Sequence, residues 1–175
     1  MTLHWTPATE RTDLLADPVA RAVTALGAGA AGPSEVAEID PELADTAAFC
    51  ERYGVALDAS ANCVVVAARR GGETRYAACM VLATMRVDVN GVVRRHLDAR
   101  KASFAPMAQA VELTGMEYGG ITPLGLPADW PILVDTHVAE HPRVVIGSGV
   151  RRSKLAVPGA TLAGLKGAEV LALST

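Results

Sequence analysis

Three glycines and a proline surround one threonine in the run Gly119-Gly120-Ile121-Thr122-Pro123-Leu124-Gly125. Glycine lets backbone come close to a ligand, and Pro123 stiffens the turn while removing one N–H donor. Such a loop can aim several N–H groups at one point, the geometry that holds a carboxylate, a phosphate or a developing oxyanion. The same residues also make an ordinary tight connection between strands. A second run, Gly147-Ser148-Gly149, follows the apolar Val144-Val145-Ile146 and precedes Val150-Arg151-Arg152-Ser153-Lys154. Glycines after a buried strand with cations beside them suit an anion or an RNA 3′ end, and a solvated turn is the plainer alternative.

Other reactive residue types have weaker settings. Cys63 opens a run of valines with no His in a recognisable relation to it, so it reads as a buried structural thiol. His137 and His141 are four apart, but Pro142 and the apolar stretch before them argue against a shared helical face, and no metal site is expected. His96 is expected on a helix surface and His4 in a mobile tail. Asp135, after Pro131-Ile132-Leu133-Val134, is either a pocket carboxylate that reads an amino group or the cap of a helix after a strand.

The elements that must position these residues follow from periodicity. Residues 11–26 place Leu14, Leu15, Val19, Val23 and Leu26 at helical spacing with Gly27 as terminator, and residues 28–34 read as a flexible connector. A short strand over 35–39 and a helix over 41–53 ending at Gly54 come next. Residues 63–68 and 76–83 are two apolar strands joined by a Gly-containing turn. Asn90-Gly91 signals a hairpin, yet Val89, Val92, Val93, His96 and Leu97 share a helical face with Asp88 as N-cap, and the helix is preferred. Further strands are expected at 102–105, 132–138, 144–146, 154–157 and 170–173, and helices at 107–113 and 161–166. This irregular alternation predicts an α+β chain with a mixed sheet and peripheral helices.

Composition sets the frame. The 175 residues are half apolar but only 4% aromatic, which calls for one core of Val, Leu, Ala and Ile. Three irregularly spaced cysteines give neither a disulfide framework nor a zinc site and suit a reducing, cytoplasmic setting. No basic start with an apolar run and no long apolar window predicts export or a membrane partner. Residues 1–58 carry three Lys/Arg against ten acids, a balance of −7, whereas residues 59–175 carry thirteen against nine, a balance of +4. The basic half is the half with both glycine runs, a pointer to an anionic ligand.

Taken in order, Asn62-Cys63-Val64-Val65-Val66, Arg86-Val87-Asp88, residues 100–105, Thr114-Gly115, the Gly119 run, Val134-Asp135 and Gly147-Ser148-Gly149 resemble the YbaK/prolyl-tRNA-synthetase-associated domain family of aminoacyl-tRNA editing domains. The resemblance spans residues 36–173. It implies a mixed, partly barrel-like sheet with surrounding helices over residues 36–175, preceded by an N-terminal extension and connector at 1–35. It also implies a free-standing deacylase for mischarged tRNA in translation fidelity. The 3′ end of an aminoacyl-tRNA is its partner, a synthetase is a possible second one, and no DNA, membrane, cofactor or metal is called for.

On that resemblance Asn62, Gly119, Gly120 and Thr122 are the catalytic set. Arg86, Lys101, Pro123, Gly125, Asp135, Gly147, Ser148 and Gly149 contact substrate. Asn62, Thr122, Asp135 and Ser148 should then line one cavity. Deacylases of the family usually carry Lys where this chain has Asn62, and Asn supplies no positive charge. Arg86 and Lys101 are the nearest replacement cations in the sequence. The alternative is a catalytically silent relative that binds an aminoacyl-RNA end, an amino acid or a protein.

Overall fold

The computed structural model describes residues 2–27 and 32–175, so residues 28–31 of the expected connector lie outside the described residues. In chain order the strands are β1 (Thr6–Pro7), β2 (Glu35–Glu38), β3 (Ala61–Arg70), β4 (Glu73–Leu82), β5 (Lys101–Phe104), β6 (Ile132–Asp135), β7 (Val144–Gly147), β8 (Ser153–Val157) and β9 (Ala168–Leu171). The helices are α1 (Asp17–Leu26), α2 (Thr46–Tyr53), α3 (Arg94–His96), α4 (Met107–Thr114), α5 (Thr136–Ala139) and α6 (Gly159–Ala163). No described helix is long and apolar enough to cross a membrane.

The strands form two sheets, β1-β2-β8-β7 and β5-β3-β4-β6-β9, which do not close into a barrel. The mixed α+β expectation holds: β3 is antiparallel to β4 and β5, while β4/β6 and β6/β9 are parallel. Both faces of the five-stranded sheet are covered. Met80 and Val134 pack with Val19 and Val23 of α1 on one side, and Val66, Cys79 and Leu133 pack with Val93 and Leu97 on the other. That two-sided cover explains why residues 63–68 and 77–82 are apolar without alternation.

Local side chains reset several expected boundaries. The helix expected over 11–26 begins only at Asp17, because Pro18 fits the first turn and no later one, and a 3₁₀ turn at Thr12–Leu14 precedes it. The helix expected over 41–53 is cut in two by a second cap: Asp40 accepts from Glu42 N–H, then Asp45 accepts from Ala47 N–H and restarts the chain as α2. Residues 89–96 are helical, a π turn at Val89–Val93 running into α3, with the Asp88 carboxylate accepting from Gly91 and Val92 N–H. The strand expected over 132–138 stops at Asp135, where α5 starts.

The segment from Ala8 to Val23 packs into the main core, where Ala8, Leu14, Val19 and Val23 are fully buried. Near His4, expected in a mobile tail, Leu3 and Trp5 pack against the Phe49 cluster. The seat of α1 is made by glycine. Gly125 and Gly149 both have φ +87°, and a Cβ would lie 2.4 Å from Pro18 O at the first and 2.4 Å from Ala16 Cβ at the second.

Candidate active site

The geometry of the site begins with an incomplete ladder. β3 is paired to β4 along its whole length, but to β5 only from Val66 to Arg69, with Val65 O accepting one further bond from Ala105 N–H. Backbone polar groups alternate from edge to edge along a strand, so Val65 facing β5 places the Cys63 N–H and C=O on the same, unpaired edge. Into this gap come Met107 at the start of α4, Gly119 and Ile121 of the first glycine run, Gly147 at the end of β7 and Lys154 of β8. Together with Ala61, Asn62, Cys63 and Val64 they enclose a cavity of about 290 Å³ in the seam between the sheets. A second cavity of about 270 Å³ adjoins it through Cys63, Val64, Met107 and Ile121 and is otherwise apolar, with Val65, Phe104, Ala105 and Ala110.

The two glycine runs are pressed together to form one wall. Gly149 N–H donates to Gly120 O at 2.7 Å, and a Cβ on Gly147 would sit 2.6 Å from the same carbonyl oxygen. Gly120 N–H is occupied by Glu117 O at 2.9 Å and Thr122 N–H by Met116 Sδ at 3.4 Å. The N–H groups of Cys63, Gly119 and Ile121 have no backbone acceptor among the described residues, and all three residues line the cavity. These are the donors left for a ligand.

Two polar side chains of the cavity are held by one short segment. Thr46 Oγ1 donates to Asn62 Oδ1 at 2.7 Å, and Lys154 Nζ donates to Ala44 O at 2.8 Å. Lys154 is only 7% exposed, stands 5.3 Å over the Phe49 ring, and burial pushes its pKa down to about 8 against the pull of Cys50 and Asp45. The Cys63 thiol is pushed far up by burial, so it stays neutral and is no nucleophile.

The expected site residues divide. Asn62, Gly119 and Gly147 line the cavity. Thr122, Asp135 and Ser148 are fully buried, so the four residues expected to share one cavity do not, and Asn62 alone of them reaches it. The Ser148 hydroxyl shares its one proton between Val150 O and Ser153 O, bracing the second glycine run. Thr122 Oγ1 is buried without a hydrogen-bond partner among the described residues. Asp135 is the helix cap of the two readings: it accepts from His137 N–H and also from Leu173 and Ser174 N–H, tying β6 to the C-terminal residues. Pro123 and Gly125 border a different cavity against α1, and Gly149 seats α1 from the other side. Gly120 acts through the wall by its carbonyl. Arg86 and Lys101 are exposed and line neither cavity of the seam, because Arg86 pairs its backbone with Thr175 and Lys101 lies on the outer β5 edge.

The residue that sequence reasoning missed is Lys154. Its signal was a cation directly before the apolar Leu155-Ala156-Val157, and the structure puts it in a strand whose five residues are all buried.

Fold and cavity together define an α+β domain that can admit a small group into the seam between its sheets, with polar and apolar compartments side by side. The chain belongs to the aminoacyl-tRNA editing domain family, whose model matches residues 40–165. The solved structures agree on the fold. A protein described as a candidate trans-editing enzyme for prolyl tRNA synthetase superposes with a TM-score of 0.75 at 22% identity, over 91% of this chain and 96% of the other. A hypothetical protein, APE2540, superposes with a TM-score of 0.78 at 20% identity, over 91% of this chain and all of the other. No curated protein sequence matches the chain.

Proposed function

We propose that the chain hydrolyses the ester of a mischarged aminoacyl-tRNA in trans, with the acyl carbonyl held at the open edge of β3. The observation that carries this reading is the gathering of unengaged N–H groups from Cys63, Gly119 and Ile121 around one cavity in a member of the editing-domain family. A water oxygen adds to the carbonyl carbon and the carbonyl electron pair moves onto oxygen, where fixed backbone donors stabilise it. Such donors are worth ~10²–10³ in rate each. The bond to the ribose oxygen then breaks, that oxygen takes a proton, and an amino acid and a free tRNA 3′ end leave.

The apolar cavity beside the reaction site suits the amino-acid side chain, and about 270 Å³ limits its size. Arg151 at the rim suits a phosphate of the RNA end. Asn62, anchored by Thr46, offers its amide to the acyl group without a charge.

The test is deacylation of a panel of aminoacyl-tRNAs covering the twenty amino acids. Turnover above the buffer rate is expected for acyl groups that fit the apolar cavity. A chain that binds a non-hydrolysable analogue but cleaves no member of the panel is a silent binding module instead.

A further inference from the structure

Among the described residues, Lys154 is the one charged side chain on the cavity wall. It reaches that wall from the middle strand of the smaller sheet, where β8 lies between β2 and β7. Its register partner on β7 is Gly147, so no side chain covers it from that strand. Its other neighbours hold it without neutralising it: Ala44 O takes one of its three donors, the Phe49 face lies beneath it, and no described carboxylate forms an ion pair with it.

A buried cation with a single hydrogen bond and no counter-ion costs stability unless something else meets it. The segment that fixes it also fixes Asn62, since Ala44 O holds the ammonium and the Thr46 hydroxyl holds the Asn62 amide two residues on. The two polar side chains are therefore positioned as a pair, one neutral and one charged.

We infer that Lys154 is a catalytic residue of this site, its ε-ammonium donating to the acyl carbonyl oxygen and balancing the charge that develops there on attack. The inference rests on the proposed deacylase reading and deepens it. The neutral amide of Asn62 comes to the cavity from β3 and the charge of Lys154 from β8. The groups that act on this ammonium are Asp45 and Cys50, which favour its charged form, and Arg151, which disfavours it. With burial added, it is charged at neutral pH and loses its proton near pH 8.

The experiment compares wild type, Lys154→Met and Lys154→Arg on the fastest-cleaved member of the panel, and measures binding of a 3′-aminoacylamino-adenosine carrying the same acyl group. Lys154→Met should lower kcat/KM by ~10²–10³-fold with an unchanged far-UV spectrum and no loss of Tm. Wild-type activity should fall above pH about 8, and Lys154→Arg should move that fall to higher pH. The chain has only three lysines, Lys101, Lys154 and Lys166, so ¹³Cε NMR of the wild type can follow the titration directly. A Lys154→Met rate within threefold of wild type, or an alkaline limb that does not coincide with the low-pKa lysine signal, overturns the role.

Failure of the deacylase reading looks different. If wild type cleaves nothing yet binds the analogue, and Lys154→Met weakens that binding at least tenfold, the carbonyl contact stands and hydrolysis does not. If wild type neither cleaves nor binds, both readings fall.

Discussion

Asp135 and Lys154 are both buried ionisable side chains on central strands, and the fold treats them in opposite ways. Asp135 accepts hydrogen bonds from the N–H groups of His137, Leu173 and Ser174 and from the His137 ring, and those bonds hold its carboxyl below the usual range although burial alone would raise it. Lys154 donates to one carbonyl, no described carboxylate forms an ion pair with it, and burial drags its pKa down to about 8 against the weaker pull of Cys50 and Asp45. Both shifts are downward, yet one stabilises the charge and the other destabilises it. A satisfied buried charge reads as architecture, whereas an unsatisfied one beside a cavity reads as function.

The comparison breaks first at Asp135. Asp135→Ala strips the acceptor from three backbone N–H groups and should destabilise the domain by about 3 kcal/mol in urea unfolding. The activity per folded molecule should not change. A selective loss of kcat in a protein of normal stability would return Asp135 to the site. The carboxylate's contribution is present above the ordinary pKa of 3.8 and is lost as pH falls through the lower folded value, so wild type and Asp135→Ala should converge in strong acid.

Lys154→Met should move stability the other way, by a smaller amount. Between pH about 8 and 10.5 the unfolded chain holds a proton that folded Lys154 has lost, so wild-type stability rises with pH across that window. At pH 7 removal of the charge relieves about 3 kcal/mol of burial cost, and loss of the bond to Ala44 O takes back about 1. Thermal melts should therefore show Lys154→Met more stable than wild type by about 2 kcal/mol at pH 7, with the gap closing towards pH 10.5. A variant less stable at pH 7 would make Lys154 a structural residue.

The same contrast explains what the sequence made legible. The long hairpin at residues 61–82, the helical choice at 89–96 and the mixed sheet were readable because periodicity and caps such as Asp88 act over a few residues. The two glycine runs were readable as a pair, though not the division of labour inside them: Gly119 and Ile121 face the cavity, while Gly125 and Gly149 seat α1. Asp135 stayed ambiguous because its deciding partners, Leu173 and Ser174, lie 38 and 39 residues away. Lys154 was hidden more deeply, in a basic run with Arg151 and Arg152, and only Ala44, 110 residues earlier, reveals that its side chain turns inward.

Arg151 sharpens the comparison at its weakest end, as a charge at the rim that is neither satisfied by acids nor buried. Its Nη1 donates to Tyr118 O at 3.1 Å, its guanidinium lies 5.7 Å from the Tyr118 ring centre, and its backbone N–H is taken by Glu117 Oε1 at 2.8 Å. A Cβ on Gly119 would come within 2.6 Å of Nη1, so the guanidinium stands directly beside the cavity wall, where an RNA phosphate would pass. Arg151→Ala removes one such contact, and the slope of log K against log salt for aminoacyl-tRNA should become shallower by about 0.7. Affinity should fall about threefold to tenfold, more at low salt than at high. Because Arg151 disfavours the charged form of Lys154, the alkaline limb of the rate profile should also move to higher pH. A salt slope equal to that of wild type would remove Arg151 from the RNA contact, and a shifted alkaline limb in the same variant would leave it as a neighbour of Lys154 alone.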